Sequence, residues 1–293
     1  MEGGRGLADQ APPGAALGTS PGVCAPFHGL EGSPTECQSV LSWDKSSPTR
    51  PPTKFPLLGF TALADISTEE RLALECVSEE PIKFRRGQII RRQGDLKPTL
   101  FFVHTGWAAT RATLPNRTRQ YFTIHCAGDL MGAPSLPLER APETLIALSD
   151  ASISVLSPEC LSALFAARPR LAMIFFLMAQ VERTNLMNHI TALGRCSAEQ
   201  RVAGFLVHVA EKAKTAALHP GPAFELPLTQ RQIGDVLGLT PVHVNRVLRS
   251  FDRAGHIQRH RKWIELLRGD DLRKMSGLVP HVVMRNADWL PKA

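Results

Sequence analysis

The stretch "TQRQIGDVLGLTPVHVNRVL", residues 229–248, reads as two short helices joined at a glycine. Thr229 can cap the first, because a threonine hydroxyl ahead of an apolar-periodic run accepts an orphan backbone N–H. Ile233, Val236 and Leu237 follow at helical spacing. Gly234 is small where two helices must cross closely, and Gly238 sits at the turn, where positive φ costs glycine little. Thr240 can cap the second helix with Pro241 at its first position, and Val244, Val247 and Leu248 then face inward. Neither helix is long enough to bury its apolar stripe alone. This spacing is a helix-turn-helix pattern, whose second helix enters the DNA major groove.

The surroundings strengthen that reading. From Pro241 to Arg268, seven Lys or Arg (Arg246, Arg249, Arg253, Arg259, Arg261, Lys262, Arg268) stand against Asp252 and Glu265. The run "GHIQRHRKWIEL", 255–266, reads as a two-stranded wing with Arg261 and Lys262 near its tip. A positive helix followed by a positive hairpin attracts a phosphate backbone. The outward positions of the second helix are Val242, His243, Asn245, Arg246 and Arg249. Arg246 can pair bidentately with guanine, Asn245 or His243 can reach other base edges, and Val242 can touch a thymine methyl. Arg249, Arg253 and Lys262 suit phosphates, which position without specifying. Thr229, Gln230, Thr240 and Arg261 complete the expected contact set for double-stranded DNA.

The bulk numbers agree with a globular DNA-binding chain. A length of 293 residues with 43% apolar and 21% charged residues allows one or two domains with real cores. The net charge of +7 favours a polyanionic partner. The first residues lack the apolar core of a signal peptide. The longest apolar run, "LAMIFFLMA" at 171–179, is too short to span a bilayer. The expectation is a cytoplasmic protein with no membrane contact. Six scattered cysteines without a C-x-x-C pair read as reduced, structural thiols rather than a disulfide framework. Clustered His and carboxylates of a cupin-type metal site are missing from the strand-rich region, which speaks against an enzyme.

Along the chain, residues 1–55 are rich in Gly, Pro, Ser and Thr and read as a disordered extension. Residues 56–166 open with a helix signal, Ser67 or Thr68 as cap with Glu69 and Glu70 behind it. Short strands follow, punctuated by glycines at 87, 94, 106, 128 and 132, as in a closed antiparallel roll or barrel. Residues 167–195 read as a long helix with Pro169 in its first turn. Its stripe Ile174, Met178, Val181 and Asn185 is expected to face a second copy in a homodimer, with Asn185 and Asn188 fixing register. Ser197 and Gln200 form a capping box that starts a domain over 196–270, and 271–293 reads as a tail.

Residues 57 to 268 resemble the bacterial CRP/FNR family of transcription regulators. The resemblance rests on the "F-x-x-G-Q-x-I … Q-G-D" and "G-D-L-M-G" turns, on "LGRCSAEQRVAGFL" and on "LTPVHVNRVLRSF". It implies an α+β chain: an N-terminal double-stranded β-helix (a jelly-roll of the cyclic-nucleotide-binding kind), a long dimerisation helix and a C-terminal winged helix-turn-helix. It also implies a homodimer on a near-palindromic promoter site, with RNA polymerase as a partner.

The departures decide what carries over. The cyclic-AMP branch places a Glu after the last glycine of "GD-x-x-G" and an Arg-Ser pair further on. Here Ala133 follows Gly132, and the later pair is Arg140-Ala141 with Glu143 close by, so cyclic AMP is disfavoured. An iron–sulfur cluster needs four soft ligands. Only Cys24 and Cys37 lie upstream of Phe60, and Ser154 stands where the roll should supply another, so the cluster is disfavoured too. His104 and His125 read as satisfied polar side chains rather than haem ligands. No cofactor is expected. Control without a ligand, or by oxidation of Cys126 or Cys196, is open. The alternative is a ligand-binding roll that regulates a protein partner.

Overall fold

The computed structural model describes residues 55–96, 99–216, 223–279 and 281–292. Apart from Phe55, the extension expected over 1–55 lies outside the described residues. The first elements are two helices, α1 (Leu58–Thr61) and α2 (Thr68–Val77). Ser67 caps α2 in a complete capping box with Glu70.

Eight short strands follow: β1 (Ile82–Phe84), β2 (Ile89–Arg91), β3 (Leu100–Thr105), β4 (Trp107–Thr113), β5 (Arg119–Cys126), β6 (Leu130–Met131), β7 (Thr144–Ala147) and β8 (Ala151–Leu156). They form two antiparallel sheets ordered β1-β8-β3-β6 and β2-β7-β4-β5. Phe84, Phe101, Val103 and Ile153 from one sheet and Ile90, Ala108 and Leu145 from the other make a single buried core. Phe101 and Val103 of β3, Leu145 and Ala147 of β7, and Ala151 and Ile153 of β8 enter that core at alternate positions. Gly106 permits the β3–β4 reversal: its φ is +82°, and an added Cβ would lie 2.2 Å from the carbonyl oxygen of Asp150.

Beyond the roll come α3 (Pro158–Ala167) and the 27-residue α4 (Pro169–Arg195). Phe55, Phe60, Phe102 and Phe175 meet edge-on or tilted and join α1, β3 and α4 in a second core. Ile174 is 0% exposed and lies in that core, with Met178 and Val181 packed against it. The stripe read as partner-facing is therefore turned largely inward, because apolar residues on more than one side of α4 let its own domain claim one face. Asn185 stays exposed, and the apolar side chains left in solvent are Phe176, Met187 and Ile190.

The C-terminal part holds α5 (Ala198–Thr215), β9 (Ala223–Glu225), α6 (Gln230–Leu237), α7 (Pro241–Arg253), the hairpin β10 (Ile257–His260) and β11 (Trp263–Leu266), and α8 (Gly269–Ser276). The wing has three strands, β10-β11-β9, one more than the sequence suggests. The stretch read as a tail from 271 lies partly in α8. Asp270 and Asp271 in its first turn, Arg273 and Lys274 in its last, and Gly277 in the left-handed region after it are ordinary helix-end signals.

Roll and winged domain meet directly. Trp107, Tyr121 and Ile124 share one buried cluster with Val202 and Phe205 of α5 and Ile233 and Val236 of α6. Gln120 Nε2 donates to the Val236 carbonyl at 3.1 Å, and Gln232 Nε2 to the Tyr121 hydroxyl at 3.3 Å. The architecture is α+β, and among the described residues no helix is long and apolar enough to cross a membrane.

Candidate nucleic-acid interface

The site is built from helix ends. Thr229 Oγ1 accepts the Gln232 N–H at 3.3 Å, and Gln232 Oε1 accepts the Thr229 N–H at 2.9 Å, which closes a capping box on α6. Gly238 ends α6 at φ +62°. A Cβ on Gly234 would meet the Leu239 carbonyl oxygen at 2.4 Å, so the chain leaving the turn passes directly over α6. Thr240 Oγ1 accepts the His243 N–H at 3.3 Å and starts α7, with Pro241 first in the helix. Val244, Val247, Leu248 and Phe251 are buried beneath it. The helix pair is thus held from below and capped at both starts.

What α7 leaves in solvent is the expected set with one shift. Val242 (76% exposed), His243, Arg246, Arg249 and Arg253 face outward, while Asn245 is half-buried on the flank. Thr229 is exposed and Gln230 half-buried at the start of α6. The Thr240 hydroxyl is committed to its cap. In the wing, Arg261 occupies the turn at φ +55°, and Lys262 is exposed but pairs with Glu225 at 2.8 Å. Arg246, Arg249, Arg253 and Arg261 have no ion-pair partner among the described residues, so their charge faces outward unspent. Such a surface can hold phosphates and reach base edges.

Residues 200–275 match the family described as Crp-like helix-turn-helix domain, and residues 81–168 match the cyclic nucleotide-binding domain. The chain belongs to the CRP/FNR family. It is 24% identical over 221 residues to the transcriptional activator protein FnrA of Stutzerimonas stutzeri, covering 75% of this chain and 90% of that protein. The fumarate and nitrate reduction regulatory protein of Escherichia coli K12 is 24% identical over 204 residues, covering 70% and 81%. The structure of FixK2 from Bradyrhizobium japonicum shares the fold, with a TM-score of 0.63 at 24% identity over 70% of this chain and all of that one. The chain is accordingly a DNA-binding transcription regulator and not an enzyme.

The roll holds a buried ion pair of its own. The buried Arg91 pairs with the buried Glu143 and donates to Ser135 Oγ at 2.7 Å and to the Thr99 carbonyl at 3.2 Å. Burial pulls the Arg91 pKa down and pushes Glu143 up, each against the attraction of the other. Arg140, the candidate anion ligand, is exposed and donates to the Gly94 carbonyl at 3.1 Å. The buried guanidinium is therefore already neutralised by the chain's own carboxylate.

Other sequence candidates find ordinary partners. His104 Nε2 is 2.9 Å from Ser154 Oγ, and His125 Nε2 is 2.8 Å from Thr110 Oγ1. Cys126 is 3% exposed, and burial first and Asp129 second push its thiol up to about 12. It is thus a poor source of thiolate. Cys196 is a free, half-buried thiol between α4 and α5. Cys160, on α3, is disulfide-bonded, against the expectation of reduced thiols throughout.

Proposed function

We propose that this chain is a cytoplasmic, sequence-specific regulator that binds a near-palindromic promoter site as a homodimer, with α7 in the major groove and RNA polymerase as its downstream partner. The observation that carries this reading is the outward face of α7, with Val242, His243, Arg246 and Arg249 exposed above a buried underside. Arg246 reads guanine, His243 and Asn245 reach neighbouring edges, and Arg249, Arg253 and Arg261 hold phosphates. The exposed Phe176, Met187 and Ile190 on α4 support pairing of two copies, since positions 176 and 187 lie three helical turns apart on one side.

The roll works without cyclic AMP, iron–sulfur cluster or haem. The Arg91–Glu143 pair supports the first of these, because displacing it would strand two buried charges. Of the two cysteines weighed for redox control, Cys196 remains the better placed, since Cys126 is buried and held as the thiol.

Selection from a random duplex pool, read with the sedimentation of free protein, tests the reading. The expected outcome is two half-sites one helical turn apart, with affinity falling steeply as salt rises. A monomer indifferent to every duplex at low salt overturns it.

A further inference from the structure

The chain continues beyond the match to the Crp-like domain, which ends at residue 275. After α8, Gly277 turns the backbone at φ +66° and the segment runs back to the roll. Leu278 lies over α5, where a Cβ on Gly204 would meet its Cδ1 at 3.5 Å. His281 Nε2 sits 3.3 Å from Asn188 Oδ1 on α4. The segment then seats on the loop between α1 and α2. The Asn286 N–H donates to the Leu63 carbonyl at 2.8 Å and its Nδ2 to Asp65 Oδ2 at 2.7 Å, while the Asp65 N–H donates to Asn286 Oδ1 at 2.8 Å. Arg285 pairs with the same Asp65. Leu290, 7% exposed, enters the phenylalanine-rich core, and the Pro291 carbonyl accepts from Arg170. Arg170 is itself fixed by both Glu70 oxygens at 2.7 Å.

Asn286 holds φ +51°, a region that asparagine tolerates and most residues avoid. Its reciprocal bonds to Asp65 make this a shaped seat rather than a chance resting place. We infer that residues 277–279 and 281–292 belong to a strap that fastens the winged domain to the roll. The winged domain is already joined to α4 through Cys196 and leans on β5 through Gln120 and Tyr121. A third attachment, on the α1–α2 loop, adds to the hold that the hinge and the shared apolar cluster already exert on the winged domain. With the strap seated, Arg246 and Arg249 still face solvent, so the fastened pose is one that offers its DNA surface. The strap pre-organises binding and lowers the entropy lost on docking. This consequence for DNA rests on the function proposed above.

The test compares the full chain with a truncation after Gly277, with Asn286→Ala, and with Asp65→Asn, which keeps a hydrogen-bond acceptor. Hydrogen exchange at residues 195–198, measured without DNA, reads the strap alone. Affinity for the duplex selected by the parent reads its consequence. Truncation and Asn286→Ala should speed hinge exchange by about tenfold and weaken binding by about fivefold, and Asp65→Asn, which loses the Arg285 ion pair and one of two acceptors, should fall between them and the parent. If truncation unfolds the roll by withdrawing Leu290, Asn286→Ala decides, since it leaves Leu290 in place. Unchanged hinge exchange in Asn286→Ala overturns the strap, and tighter DNA binding overturns pre-organisation. A parent that binds no duplex refutes the DNA reading while hinge exchange still judges the strap.

Discussion

Arg259 on β10 reaches Asp252 on α7, with 3.3 Å between Nη2 and Oδ2. The contact spends one wing cation inside the protein and ties the hairpin to the last turn of the recognition helix. Arg261 is left at the tip, in a left-handed backbone that costs a non-glycine residue about 1–2 kcal/mol. Arg261→Gly should therefore leave the melting temperature unchanged or raise it, while weakening all duplexes alike. The salt slope should shrink by about one counterion. A loss of both stability and affinity would show that Arg261 holds the wing rather than DNA.

Arg246→Ala should behave differently. It removes an exposed side chain from the middle of α7, so folding is untouched. Affinity for the selected site should fall by about 1–3 kcal/mol, and one base position should become permissive. Re-selection with the variant checks this. A uniform loss across sequences would move Arg246 to the phosphate class.

The two faces of α4 separate folding from pairing. Ile174→Ala opens a cavity in the chain's own core and should cost about 2–5 kcal/mol of stability. Ile190→Glu, at a position 68% exposed, should leave the chain folded and shift the proposed dimer toward monomer in sedimentation. If Ile190→Glu stays dimeric at micromolar protein, the pairing surface lies elsewhere.

Glu182 gives a pH test. It lies in the cleft between the roll, α4 and α5, near Lys212 and Asp129. Burial raises its pKa from 4.5 to about 7, against the pull of Lys212. The folded protein thus keeps a proton that the unfolded chain releases, and stability attributable to this group is lost as pH rises from about 4.5 through 7. Glu182→Gln should match the parent near pH 4.5 and melt higher at pH 8. His125 and His208, both held near pH 4 by burial, titrate in both proteins and drop out of the difference. Equal melting temperatures at pH 8 would show that the carboxylate is solvated.

Local chemistry made much of this chain legible. The caps at Ser67, Ser197, Thr229 and Thr240, the turn at Gly238 and the inward face of α7 all follow from neighbours within one or two turns. Long-range choices were not readable. Ile174 reads as a seam residue of α4 and Ile190 lies off that stripe, and only the position of Phe60 and Phe102 shows that the chain's own core claims Ile174 while Ile190 stays in solvent. Arg91 and Glu143 lie 52 residues apart, and nothing local announces that they pair. The third wing strand, β9, is three residues long and gives too little alternation to register. Asp270 and Asp271 ahead of Arg273 and Lys274 carry the signal of α8 locally, but eight residues after the wing are too short a run to stand out from a tail.

The cluster that unites Trp107 and Tyr121 with Phe205 and Val236 makes the two halves thermodynamic neighbours rather than beads on a string. Heat should disassemble them in one endotherm, and a trimmed ring at position 107 should be felt by the DNA-reading half although it touches no nucleotide. In such a molecule, inherited changes far from the groove can tune gene expression through foldedness alone.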